Sequence, residues 1–145
     1  MSNEFEFYHG VALCRLIHDK RLQSVALFRT DRNSSYLINV SIGIFIKYST
    51  KRLTPWYFTF MPHHIEEFFD LTKHKLKTFL LLVCKNDGIV CLNVTEVKMV
   101  LDIEYTKNQG ISVSRRPREK YKISGPLDNI KYKFGDNEFP EKIFR

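Results

Sequence analysis

Few of the usual staples of a small protein are present. Three cysteines, Cys14, Cys84 and Cys91, show no C-x-x-C spacing and leave an odd thiol, which argues against a zinc ribbon and against a secreted disulfide framework. Cys84 and Cys91 flank the turn Lys85-Asn86-Asp87-Gly88. A two-residue hairpin turn at Asp87-Gly88 would place them opposite each other at a wide, hydrogen-bonded pair, and buried reduced thiols are the expected state. No apolar run approaches the roughly 20 residues that cross a bilayer, and the opening MSNEFEFYHG carries acids where a leader would carry a basic stretch and an apolar one. A cytoplasmic protein is expected, nuclear if the source is eukaryotic, with no membrane partner. The six glycines form no phosphate loop, no serine sits in a G-x-S-x-G setting and Cys14 has no motif linking it to a histidine. No ordinary catalytic arrangement results, and no catalytic residue is assigned.

What is there is core material and positive charge. The 145 residues are 43% hydrophobic and 27% charged, with 12 Phe and 7 Tyr. That is the composition and size of one globular domain, 1–145, with a core over about 5–102 and a basic β-rich extension over about 105–145. The net charge is +7 and is unevenly placed. Residues 29–62 hold five cations against the single acid Asp31, and residues 105–133 hold eight against Glu119 and Asp128. Clustered positive charge predicts a polyanionic partner, nucleic acid first.

Helical spacing of Phe5, Tyr8, His9, Ala12, Leu13, Leu16 and Ile17 predicts a first helix to about His18, capped by Asn3. SVALFRT then reads as a strand, DRNSS as its turn and YLINVSIGIFIKYS as one long returning strand. Along that strand Val40, Ile42, Ile44, Ile46 and Tyr48 form an apolar face, and Asn39, Ser41, Gly43, Phe45 and Lys47 form the other. The second face is expected to look outward as a disused or rebuilt nucleic-acid site. WYFTF reads as a short strand that turns Trp56, Phe58 and Phe60 inward and Tyr57 and Thr59 outward. A helix follows from Pro62, with Ile65, Phe68, Phe69 and Leu76 on one side. TFLLLVC is apolar throughout, as in a strand covered on both faces. After IVCLN, Thr95 can cap a short helix EVKMVLD, and GISVSR with KYKISG reads as a strand pair around RPRE. The expected class is α+β, a single mixed central sheet flanked by helices.

The run of helix, hairpin, IFIK strand, helix and apolar strand, over roughly residues 5–93, resembles the core of the restriction-endonuclease-like PD-(D/E)xK nucleases. In that family an aspartate ends one strand, an acid and a lysine separated by one residue sit on the next, and the carboxylates hold Mg²⁺ for phosphodiester hydrolysis. The resemblance assigns the motif lysine to Lys47, the acid position to Phe45 and the aspartate position to about Asn39 or Ser41. No carboxylate occurs between Arg32 and Ile65, and Mg²⁺ needs charged oxygen ligands. The resemblance therefore implies a nuclease-like fold without the usual metal site.

Other constellations refine this expectation. STKRLTPWYFTF interleaves cations, hydroxyls and aromatics, the materials of a phosphate-gripping surface. In HHIEEF, His63 and Glu67 are a helical turn apart beside His64, but the histidine spacing of a zinc enzyme is absent, so no metal ligand is assigned. Arg115, Arg116 and Arg118 surround Pro117, which stiffens their display. The expected function is a non-catalytic nucleic-acid-binding module, with DNA the favoured ligand and no cofactor, serving a larger DNA-processing or defence assembly. Lys47, Lys51, Arg52, Arg115, Arg116 and Arg118 are the expected phosphate contacts. Two alternatives stand beside it. One is a Mg-dependent phosphodiester hydrolase with carboxylates recruited from Glu6, Asp31, Glu66 or Glu67. The other is a protein-interaction subunit whose basic face meets an acidic partner.

Overall fold

The computed structural model describes residues 3–28, 34–74 and 76–145, and the side chain of Asn3 is not among them. The expected Asn3 cap and most of the DRNSS turn therefore lie outside the described residues.

Helix α1 (Asn3–Ile17) leads into β1 (Val25–Leu27), β2 (Ser35–Ile38) and β3 (Ile42–Ser49). β1 and β2 are antiparallel, as are β2 and β3. The expected long strand is thus folded in two: residues 39–41 make a turn, because Ile38 pairs with Ile42. Asn39 (φ 52°) and Val40 (φ 68°) take the left-handed conformation there, which Asn adopts readily and a β-branched residue rarely does. The Asn39 side chain locks the turn, accepting from the backbone N–H of Gln23 and Ser24 and donating to the Arg21 carbonyl.

β4 (Trp56–Phe60) precedes α2 (Pro62–Lys73), then β5 (Lys77–Cys84), β6 (Gly88–Asn93) and α3 (Val94–Val100). β5 returns parallel to β3, and β6 is antiparallel to β5, giving a five-stranded mixed sheet in the order β1-β2-β3-β5-β6. Cys84 pairs with Gly88 and Cys91 with Leu81, so the turn is longer than a two-residue one and the expected Cys84–Cys91 register is not formed. The two thiols are free, buried and on opposite faces of the sheet. The α3 cap is Asn93, two residues before Thr95: its side chain accepts from the Glu96 N–H, and the Glu96 carboxylate accepts from the Asn93 N–H.

The chain contains a second sheet where one was expected. β7 (Gln109–Ser114) and β8 (Lys122–Ser124) join β4 in an antiparallel three-stranded sheet ordered β4-β7-β8. A short helix α4 (Glu138–Phe144) ends the fold. Two cores result, one on each face of the large sheet. Tyr8, Ala12 and Leu16 of α1 and Phe139 and Ile143 of α4 pack on Ile44, Ile46, Leu81 and Val83. On the other face Phe45, Leu80 and Leu82 meet α2, α3 and the inner side of the small sheet, Trp56, Phe58, Ile111, Val113 and Ile123. β5 is buried on both faces, as its unbroken apolar run predicts. Residues 105–145 contribute to both cores through β7, β8 and α4.

Candidate nucleic-acid interface

The face of β3 that carries Gly43, Phe45 and Lys47 is closed by α2, which corrects the expectation of an outward-looking site. A Cβ at Gly43 would stand 3.1 Å from the Leu71 side chain, so any larger residue would press Leu71 back by a few tenths of an ångström. Phe45 is fully buried and meets Phe68 edge-on at 6.4 Å. Lys47 is half-buried, with its Nζ 5.1 Å from the centre of the Phe60 ring and 3.4 Å from His64 Nδ1. His64 Nδ1 also accepts from the Met61 N–H at 3.0 Å, so that nitrogen is the unprotonated one. Burial pulls the Lys47 ammonium down to about 8, with the Glu67 carboxylate acting the other way. Burial, aided by the charges of Lys47 and His63, pulls His64 down to about 4. Lys47 is committed to the underside of α2. Asn39 and Ser41, the candidate aspartate positions, are in the β2–β3 turn.

Arg115 is also engaged within the fold. Its guanidinium lies 4.0 Å over the centre of the Tyr121 ring, donates to Asp87 at 2.9 Å and to Asp136 at 2.9 Å, and leaves only 13% of its side chain exposed. The Tyr121 hydroxyl donates to the same Asp87 at 2.5 Å, and burial together with that carboxylate pushes the phenol pKa up. Gly88 is required beneath this cluster, because a Cβ there would collide with the Tyr121 hydroxyl. Asp87 belongs to the β5–β6 turn, Tyr121 directly precedes β8 and Asp136 belongs to the segment before α4, so Arg115 ties three parts of the chain together.

That tie brings three loops to one end of the molecule. The Arg115 N–H donates to Thr54 Oγ1 at 3.1 Å, which fixes the β7–β8 loop against the β3–β4 loop. The Lys85 N–H donates to the Ser49 carbonyl at 3.1 Å, which fixes the β5–β6 turn beside the end of β3. The Trp56 indole N–H donates to the Lys51 carbonyl at 2.8 Å and holds the β3–β4 loop in shape. The loops carry Lys51, Arg52, Lys85, Arg116, Arg118 and Lys120, and none of these side chains makes an ion pair among the described residues. All but Lys85, which is half-buried, are exposed. Of the acids nearby, Asp87 and Asp136 share the single guanidinium of Arg115, which offsets one of their two charges, and Glu119 makes no ion pair among the described residues.

Four of the six expected contacts, Lys51, Arg52, Arg116 and Arg118, therefore share one rim, and Lys47 and Arg115 do not face solvent with them. Lys85 and Lys120 join the rim without having been singled out in the sequence. Lys85 opens the three-residue turn Lys85-Asn86-Asp87, and a lysine in a turn at a strand end was the available signal. Among the described residues no group of three His, Cys, Asp or Glu side chains is placed to hold a metal ion. Of the recruitable acids, Glu67 acts on Lys47, Glu6 and Glu66 are exposed on helices, and Asp31 lies outside the described residues. No helix among the described residues is long and apolar enough to cross a membrane. Compared with protein-family models, curated proteins and solved structures, the chain matches none of them.

Proposed function

We propose that this protein is a non-catalytic nucleic-acid-binding module, with DNA its expected ligand, which grips phosphates through the rim formed by Lys51, Arg52, Lys85, Arg116, Arg118 and Lys120. The observation that carries the reading is the convergence of three loops, distant in sequence, that present unpaired cations while the acids among them are occupied by Arg115. Cations spaced along a rim are suited to a regular array of phosphates. The nuclease-like resemblance rests on the order α1, β1 to β3, α2, β5, into which the chain inserts β4 of the other sheet between β3 and α2. A metal-dependent hydrolase is disfavoured, because the position of the motif acid, Phe45, is packed beneath α2. A role as the recognition or scaffolding part of a DNA-processing or defence assembly fits a module that binds without cutting.

The test is duplex DNA binding as a function of salt. Wild-type affinity should fall steeply, with log K against log salt sloping at about −4.5 to −5.5 for five or six neutralised phosphates. The quadruple variant Lys51→Ala, Arg52→Ala, Arg116→Ala, Arg118→Ala should flatten that slope by about 3 to 4. Lys47→Met should leave it unchanged. Equal slopes for wild type and the quadruple variant would contradict the assignment.

A further inference from the structure

The three-stranded sheet buries one face and leaves the other open. Its inner side is the aromatic and branched set of the core, and its outer side carries Tyr57 and Thr59 on β4, Gly110, Ser112 and Ser114 on β7, and Lys122 and Ser124 on β8. Alternation along the strands produces this split, and it places small hydroxyl-bearing residues where a solvated sheet usually carries long ones. The Thr59, Ser112, Ser114 and Ser124 hydroxyls make no hydrogen bond among the described residues. A groove of about 580 Å³ runs across this side, lined by Tyr57, Tyr105, Gly110, Ser112, Ser124 and Leu127.

Tyr57 is the element that gives the groove a use. A Cβ at Gly110 would overlap the Tyr57 hydroxyl and ring, so the ring lies down across the β7 backbone where Gly110 makes room for it. The hydroxyl end of the ring rests over Gly110, and the residue stays 60% exposed. An aromatic ring that crosses an open sheet, largely exposed and with free hydroxyls beside it, is a stacking surface with hydrogen-bonding groups at its margin. Charge runs out from the same surface. Lys122 pairs with Ser114 at the start of β8, directly after the rim residues Arg116, Arg118 and Lys120. A second groove on the far side of β8 is lined by Ser114, Lys122, Lys131 and Lys133. Lys131 is held by Asp128, and Lys122 and Lys133 carry no such partner among the described residues.

We propose that the open side of the three-stranded sheet is a platform for a single-stranded stretch of nucleic acid, with one base stacked on Tyr57 and the backbone held by Lys122 and the neighbouring rim. This rests on the phosphate-binding reading of the rim and adds the form of the ligand. A duplex presents edges and phosphates but keeps its base faces against one another, so only an unpaired base offers a face to the ring. The hydroxyls of Ser112 and Ser124 are placed to bond base edges without selecting strongly among them, which fits sequence-tolerant binding.

The experiment compares a labelled thymidine oligonucleotide with a duplex of equal length by fluorescence anisotropy. It uses the full chain, Tyr57→Ala, Tyr57→Phe and the quadruple rim variant. Tyr57→Ala should weaken single-strand binding by about 5- to 100-fold and leave duplex binding within about twofold. Tyr57→Phe should restore single-strand binding, because the ring is kept. The rim variant should weaken both ligands. Single-strand binding that survives Tyr57→Ala, or a loss shared equally by the duplex, would overturn the platform while the rim reading stands. Rim substitutions that leave both ligands bound as before would overturn the rim reading and the platform with it, as would failure of the wild type to bind either.

Discussion

His9 shows how single residues set the working range of the fold. It is 3% exposed, with its ring stacked on Phe5 at 4.0 Å and its Nδ1 2.8 Å from the Tyr36 hydroxyl. Burial pulls its pKa down from 6.5 to about 4. His64 is lowered in the same direction, though it is less enclosed and contributes less. The unfolded chain takes up these protons first, so the stability they contribute is complete above pH 6.5 and is lost as pH falls toward 4. Urea unfolding at pH 7 and pH 5 should differ by about 2 kcal/mol, and His9→Gln should remove most of that difference. An unchanged pH dependence in His9→Gln would show that the ring is not the titrating group. Lys47 acts in the same direction at higher pH. Its folded pKa of about 8 lies below the ordinary 10.5, so stability rises between those values as the folded chain releases a proton that the unfolded chain still holds. The alternation that places Phe45 and Lys47 on one side of β3 is legible in the sequence. What covers that side is supplied by α2, which follows across the β3–β4 loop and a strand that joins a different sheet, and no residue of β3 announces it. Residue type marked Lys47 as a cation, and burial decides what the cation does.

Among the elements, the aromatic strand, the wholly buried β5 and the pair β7 and β8 are legible because their patterns reflect the number of faces they bury. The hairpin between β2 and β3 was not legible, because Asn39-Val40-Ser41 lacks glycine and includes a residue that resists the left-handed conformation. Bonds from Asn39 to the distant Arg21, Gln23 and Ser24 hold the turn in place. The division into two sheets was hidden for a related reason. A strand's pattern says how many of its faces are buried, not which partner it pairs with, and β4 pairs with β7 across a large sequence separation. The joint between elements is Arg115, and its contribution is measurable. Arg115→Ala leaves Asp87 and Asp136 close together, bares the face of Tyr121 and removes the side-chain link from the β7–β8 loop to the β5–β6 turn and the segment before α4, while the backbone bond to Thr54 remains. It should lower stability by about 2 kcal/mol in urea unfolding. Arg115→Lys should recover only part, since an ammonium has neither the planar stack nor the forked pair of donors. Full recovery by lysine would reduce the cluster to simple charge neutralisation.

At the scale of the molecule, the large sheet separates two surfaces. One side is closed by α1 and α4. The other adds α2, α3 and the small sheet, whose strand ends place the basic loops at one end and whose outer side stays open. The two cation-rich stretches seen in the sequence, residues 29–62 and 105–133, both feed this end. Composition located the charge. Folding selected which cations are available, keeping Arg115 and Lys47 for internal use and adding Lys85 from a third stretch. The account turns on that selection, and hydrogen exchange of the full chain with and without DNA reads it most directly. Slowed exchange at 51–54, 85–87, 115–120 and the outer strands β4, β7 and β8, with α1 and α4 unchanged, is the expected result. Protection centred on α1 and α4, or none at the three loops while DNA is bound, would contradict it.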